Sequence, residues 1–89
     1  MKKLVSVEEV ENEGLMGLMA DNAVVTLFCI NYIYTGKLVG VNDSFVKLEN
    51  AAIVYETGSF AEKDWKDAQK LPKPVYVMTA SIEAFTVLK

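Results

Sequence analysis

The sequence predicts a mainly β fold: one small, strongly bent antiparallel barrel of five strands behind an N-terminal helix. Three observations predict it. Val24 to Tyr55 reads as three consecutive runs of valine, isoleucine, phenylalanine and tyrosine, divided at Asn31-Tyr32 and at Asn42-Asp43-Ser44. Such residues suit a pleated, half-buried surface, and Asn, Asp and Ser favour turns by bonding the nearby backbone. The middle run, Tyr32 to Val41, carries Gly36 and Gly40. Glycine inside a strand marks a bend or a close backbone approach, and two in one strand suggest a sheet curled towards a closed barrel. Two short apolar runs near the end, Val75–Met78 and Ile82–Leu88, supply the fourth and fifth strands.

In chain order, Met1 to Val10 is ambiguous. Ser6 and Glu9 fit a capping box, while Leu4-Val5-Ser6-Val7 also fits an extended segment. Glu11 to Asp21 is a helix candidate, with Asn12 as cap, Glu13 at the positive end of the dipole, and Leu15, Met16, Leu18 and Met19 as an apolar stripe. Gly14 and Gly17 count against it, each costing about 1 kcal/mol relative to alanine. Asp21-Asn22 ends it. The first strand, Ala23 to Ile30, is apolar on both faces, so a cover is expected on each; one is the sheet interior and the other is assigned to the N-terminal helix. The third strand runs from Phe45 to about Thr57. Val46 and Leu48 share one parity and Ile53 and Tyr55 the other, so a bulge or bend is expected near Asn50-Ala51.

Gly58 to Pro74 is read as a short helix or loop excursion, with Ser59 and Glu62 as a possible capping box and a break at Pro72-Lys73-Pro74. Trp65, the single tryptophan, is expected to anchor the excursion on the sheet; the sharper alternative is a stacking platform for a base. Thr79-Ala80-Ser81 is short enough for a tight hairpin between the last two strands.

The 89 residues fit one domain, with 1–22 as N-terminal segment, 23–57 as strands one to three, 58–74 as excursion and 75–89 as strands four and five. A domain of this size is marginal alone. A hydrophobic fraction of 52% suggests apolar surface reserved for partners. No transmembrane helix is expected, because no apolar run approaches about 20 residues. Lys2 and Lys3 are followed by Glu8, Glu9, Glu11 and Glu13, so no signal peptide is expected either. The lone Cys29, flanked by Leu27, Phe28 and Ile30, reads as a small buried thiol in a cytoplasmic protein. A net charge of −3 argues against a strongly basic face.

YTGKLVGVNDSFVKLENA, from Tyr34, Gly36 and Leu38 through Asn42 and Phe45 to Leu48 and Asn50, resembles the first signature of the Sm and LSm family, closest in spacing to its Hfq-like branch. VYVMTASIEAF, from Val75 to Phe85, resembles the second signature. The two stretches cover about half of the chain. The resemblance implies a five-stranded Sm-like barrel behind a short N-terminal α-helix, which decides the reading of Glu11 to Asp21. It also implies a homo-oligomeric ring in which strand four of one subunit pairs with strand five of the next, and a pore rim that binds single-stranded RNA. Carried over by position, the nucleic-acid-binding residues are Asn42, Asp43, Ser44 and Phe45 in the first loop and Met78 and Thr79 in the second. Asn42 would bond a base edge and Phe45 would stack; turn chemistry and core packing are the plainer readings of these two.

The second loop reads Met78-Thr79 where the family usually has Arg-Gly, and Tyr55-Glu56-Thr57 stands where the Hfq-like branch has Tyr-Lys-His. Lys37, Lys47, Lys63, Lys66, Lys70 and Lys73 could restore positive potential. With no histidine and one cysteine, His-based catalysis and thiolate or imidazole metal sites are excluded, and the glutamates near the start read as a solvated face. No enzyme, cofactor or metal is expected. The expected function is a ring that binds single-stranded RNA, or DNA, in nucleic-acid processing or chaperoning. The alternative is a structural or adaptor ring that holds protein partners.

Overall fold

The computed structural model describes residues 14–89. The readings made for Met1 to Glu13, including the Ser6–Glu9 capping box, the Asn12 cap and the run of glutamates, lie outside the described residues. Among these residues one helix, α1 (Gly14–Ala20), precedes six strands: β1 (Val24–Cys29), β2 (Ile33–Val41), β3 (Phe45–Glu56), β4 (Asp67–Lys70), β5 (Val75–Met78) and β6 (Ile82–Thr86). A single 3-10 turn, Thr79–Ser81, joins β5 to β6. The fold is mainly β and wholly antiparallel, and the sheet is not closed.

The helix stops where Asp21-Asn22 predicts. Asn22 is left-handed at φ 54°, the Asn22 N–H donates to the Met19 carbonyl, and the Ala23 N–H donates to the Leu18 carbonyl. This pair of bonds is a Schellman motif, with asparagine in the place glycine usually takes. Leu15, Leu18 and Met19 pack onto the core formed by Val25, Leu27, Leu38, Val46, Leu48, Ala51 and Val77. Met16 departs from the expected stripe and faces solvent. The helix therefore lies on the Val25 and Leu27 side of β1. It does not cover the opposite face, where Val24 and Ile30 are exposed.

Two expectations are corrected. The excursion forms neither a helix nor an unpaired loop throughout. The Ser59–Glu62 segment makes one turn, with the Ala61 N–H donating to Ser59 Oγ and the Glu62 N–H to the Ser59 carbonyl. The chain then enters β4, which pairs with the second half of β3 from Ala52↔Lys70 to Glu56↔Asp67, giving six strands instead of five. An isolated helix of this length is marginal, and the free edge of β3 offers its backbone hydrogen-bond partners instead. The expected hairpin between the last two strands is also absent. β5 pairs with the first half of β3 (Phe45↔Met78 to Leu48↔Val75), whereas β6 pairs with β1.

That pairing imposes curvature. β5, β3, β2, β1 and β6 lie in that order, so a flat sheet would separate β5 from β6 by four strand spacings, about 19 Å. Four Cα steps from Met78 to Ile82 reach at most about 14 Å, and a 3-10 turn is shorter. The sheet must bend to bring its two edges within that span. Both ends of the connection are fastened: the Thr79 N–H donates to the Ser44 carbonyl at 2.9 Å, and the Ile30 N–H donates to the Ser81 carbonyl at 3.0 Å.

The bend is built at the glycines. The β2–β3 register shifts between Thr35 and Lys37 and again between Leu38 and Gly40. Opposite the first shift, Asn50 is left-handed at φ 50°, which is the bulge expected near Asn50-Ala51. The flip lets Val46, Leu48 and Ala51 share the core. A Cβ at Gly36 would stand 3.1 Å from Ala51 Cα, from the Glu49 carbonyl and from Leu48 Cβ. Two of these are backbone atoms that cannot yield without opening the bend. At Gly40 a Cβ would meet only Lys47 Cβ, at 3.3 Å.

Gly36→Ala should therefore lose about 1–3 kcal/mol, a fall in Tm of roughly 5–20 °C for a domain of this size. Thermal unfolding of Gly36→Ala beside Gly40→Ala checks this. A Gly36 variant no more costly than the Gly40 one would show that close approach of β2 to β3 does not set the curvature.

Candidate nucleic-acid interface

The turn between β2 and β3 is closed by its own side chain. Asn42 Oδ1 accepts from the Ser44 and Phe45 N–H groups, each at 2.8 Å, and the Asn42 N–H donates to the Phe45 carbonyl at 2.9 Å. Asparagine suits this position because its short carboxamide reproduces a backbone turn. The turn is bonded in turn to the β5–β6 connection. Thr79 Oγ1 donates to the Asp43 carbonyl at 2.9 Å, beside the Thr79 N–H bond to Ser44. Asn42, Asp43, Ser44, Phe45, Met78 and Thr79, predicted from two stretches more than 30 positions apart, thus form one contiguous rim.

Their roles divide. The Asn42 carbonyl oxygen is engaged in the turn, which leaves its amide N–H groups to offer to a ligand. Phe45 is not a core residue; it is 40% exposed. Beside it stand Tyr76 and Met78, 60% and 50% exposed. Cross-strand pairing explains the grouping: Phe45↔Met78 and Lys47↔Tyr76 are register partners, so alternate residues of β3 and β5 point outward together. The Phe45 and Tyr76 rings meet edge to face, with centroids 6.4 Å apart at 79°. Lys47 Nζ lies 5.7 Å from the Tyr76 centroid. The result is an aromatic platform with a cation on its flank.

Sequence reasoning missed Tyr76. The available signal was the alternation in Val75-Tyr76-Val77-Met78: Val77 is buried, so Tyr76 and Met78 must face the other way. Trp65, offered as an alternative stacking residue, is not part of this rim; it faces Lys89.

A cleft of about 280 Å³ is lined by Cys29, Tyr32 and Tyr34 together with Tyr76 and Met78 of β5. Tyr32 and Tyr34 also meet edge to face, 6.2 Å apart. Burial, reinforced by the nearby Glu83 carboxylate, pushes the Cys29 thiol above its ordinary range, and burial does the same to the Tyr34 phenol. Both groups are therefore held protonated.

Among the described residues no group of three Cys, Asp or Glu side chains is placed to hold a metal, and no helix is long and apolar enough to cross a membrane. Comparison with protein-family models, with curated proteins and with solved structures gives no match to this chain.

A raised thiol pKa has two consequences. Cys29 should alkylate several-fold more slowly at pH 8 in the folded chain than in urea, because the thiolate is the nucleophile. The folded state also binds its protons more tightly than the unfolded one, so this contribution to stability is complete below the ordinary thiol pKa, near 8.5, and is lost as pH rises through the raised value. Iodoacetamide kinetics and urea midpoints from pH 7 to 10 measure both; equal alkylation rates in the two states would contradict the burial.

Proposed function

We propose that this chain forms an Sm-like homo-oligomeric ring, cytoplasmic in setting, that binds single-stranded nucleic acid. RNA is the favoured ligand and DNA the alternative, and the role is in nucleic-acid processing or chaperoning. The observation that carries the proposal is the strand order. Among the described residues it leaves the outer edges of β5 and β6 without a strand partner, at opposite sides of one bent sheet. Unpaired edges seek partners, and two complementary edges on opposite sides give head-to-tail contacts that close into a ring. The order also agrees with the two sequence signatures, which fall on β2–β3 and on β5–β6. In such a ring the Sm-like barrel is completed between subunits, with β5 of one copy against β6 of the next.

The ligand follows from the rim. Exposed aromatic faces stack on bases whatever their sequence, and Lys47 offers a phosphate its charge. With a single cation on the platform, binding would rest more on stacking than on ion release, and its salt dependence would be shallow. The adaptor reading draws on the same surface: Phe45, Tyr76 and Met78 are apolar enough to seat a protein.

Light scattering should report several times the monomer mass. Prolines placed singly along Ile82–Thr86 should then fall into two classes, because successive N–H groups point to opposite sides of a strand. Those facing β1 unfold the chain; those facing outward keep its circular dichroism and reduce it to a monomer. Folded proline variants that all keep the parent mass would exclude β6 as an assembly edge.

For the ligand, labelled oligo-U and oligo-A should bind at about 50 mM salt. Phe45→Ala and Tyr76→Ala should each weaken binding about 5- to 150-fold, from about 1–3 kcal/mol per stacked base. Anisotropy titrations read this directly. An intact oligomer that binds neither oligonucleotide favours the adaptor.

A further inference from the structure

The segment between β3 and β4 contains an arrangement that the proposed ring does not use. Lys89 Nζ donates to the Thr57 carbonyl at 2.8 Å, to the Asp64 carbonyl at 2.9 Å and to the Ser59 carbonyl at 3.0 Å. An ammonium group has three N–H donors, and three carbonyls meet them. The Trp65 ring covers another side, its centroid 4.6 Å from Nζ. No carboxylate takes part: the ion pair present among the described residues joins Lys66 to Glu56. Backbone dipoles and an indole face hold the charge.

The loop also carries bonds of its own. Gly58 is left-handed at φ 67°, and the carbonyls on either side of it, those of Thr57 and Ser59, converge on one point. A Cβ at Gly58 would come within 3.2 Å of Lys66 Cβ. The Thr57 hydroxyl donates to the Gly58 carbonyl, the Ser59 hydroxyl oxygen accepts from the Ala61 N–H, and the Lys66 N–H donates back to the Thr57 carbonyl. Carbonyls facing a common point make a cation receptor, and the three here match in number the N–H donors of a primary ammonium.

We infer that loop 57–65 is a binding site for a primary ammonium group, the chemistry of a lysine side chain, and that Lys89 occupies it in cis. Lys89 is tethered and held in place by the fold, so it binds without the translational cost a free amine bears; a free amine therefore competes poorly with the native chain and enters when Lys89 is replaced. Displacing Lys89 also unties the segment that follows β6 from the loop that follows β3.

Trp65 is the only tryptophan, so its fluorescence reports this site alone. Lys89→Met in the otherwise unchanged chain should shift Trp65 emission to longer wavelength. It should then respond saturably to methylammonium chloride and not to tetramethylammonium chloride, at constant ionic strength, while the unmodified chain responds to neither at the same concentrations. Gly58→Ala, which keeps both Lys89 and Trp65, should reproduce the emission shift without gaining the methylammonium response. Unchanged emission in Lys89→Met, or equal responses to the two cations, would overturn the inference. A measurement on the unmodified chain stands apart from any folding defect: ¹⁵N-detected lysine spectra should show one ammonium protected from exchange at neutral pH. A spectrum with no protected ammonium would overturn it equally.

Discussion

Between Met78 and Ile82 the chain passes from one edge of the sheet to the other through three residues, and that span governs the rest of the molecule. A flat sheet cannot be crossed so quickly. Curvature therefore has to be supplied within β2 and β3, where the glycines, the two register shifts and the left-handed Asn50 are found. Curvature also sets what the core can hold. The buried residues are mostly valine, leucine and alanine, and one end of the core is covered by the apolar side of α1. A chain of this length has little else to bury.

The same span assembles the rim. Because the connection is bonded to Ser44 and Asp43 on one side and to Ile30 on the other, the turn after β2 and the start of the connection become neighbours. Phe45, Lys47, Tyr76 and Met78 then project from two paired strands as a single surface. Strands that close a sheet on itself would have hidden one of these edges. Here the curvature stops short of pairing β5 with β6, and among the described residues neither outer edge has a strand partner, which is what the proposed ring would use. Ring and rim are thus linked proposals: each relies on edges brought near each other and left unpaired.

Much of this was legible in the chain. The β-forming runs, the turn at Asn42-Asp43-Ser44, the helix end at Asp21-Asn22 and the bend near Asn50 are local matters, written in residue types and alternation. The excursion was not legible in the same way. Asp67-Ala68-Gln69-Lys70 has neither strand propensity nor an apolar face; it is a strand because the exposed second half of β3 needs backbone partners. Tyr76 shows the intermediate case, since the alternation was readable but its pairing with Lys47 depended on register. Trp65 was read as an anchor, and the structure gives it a lysine from the far end of the described chain as its partner.

Residue types and their alternation were enough to give a mainly β chain, the turns at Asp21-Asn22 and Asn42-Asp43-Ser44, and a sharp bend at two glycines and Asn50. Those properties follow from the preferences of single residues and their nearest neighbours. Long-range packing was needed to put the last two strands at opposite edges instead of in a hairpin, to make β4, and to bring Lys89 to three carbonyls of a distant loop. These are choices among partners far apart along the chain. Each depends on which backbone groups remain unpaired once the sheet has curled, and no local stretch of sequence records that.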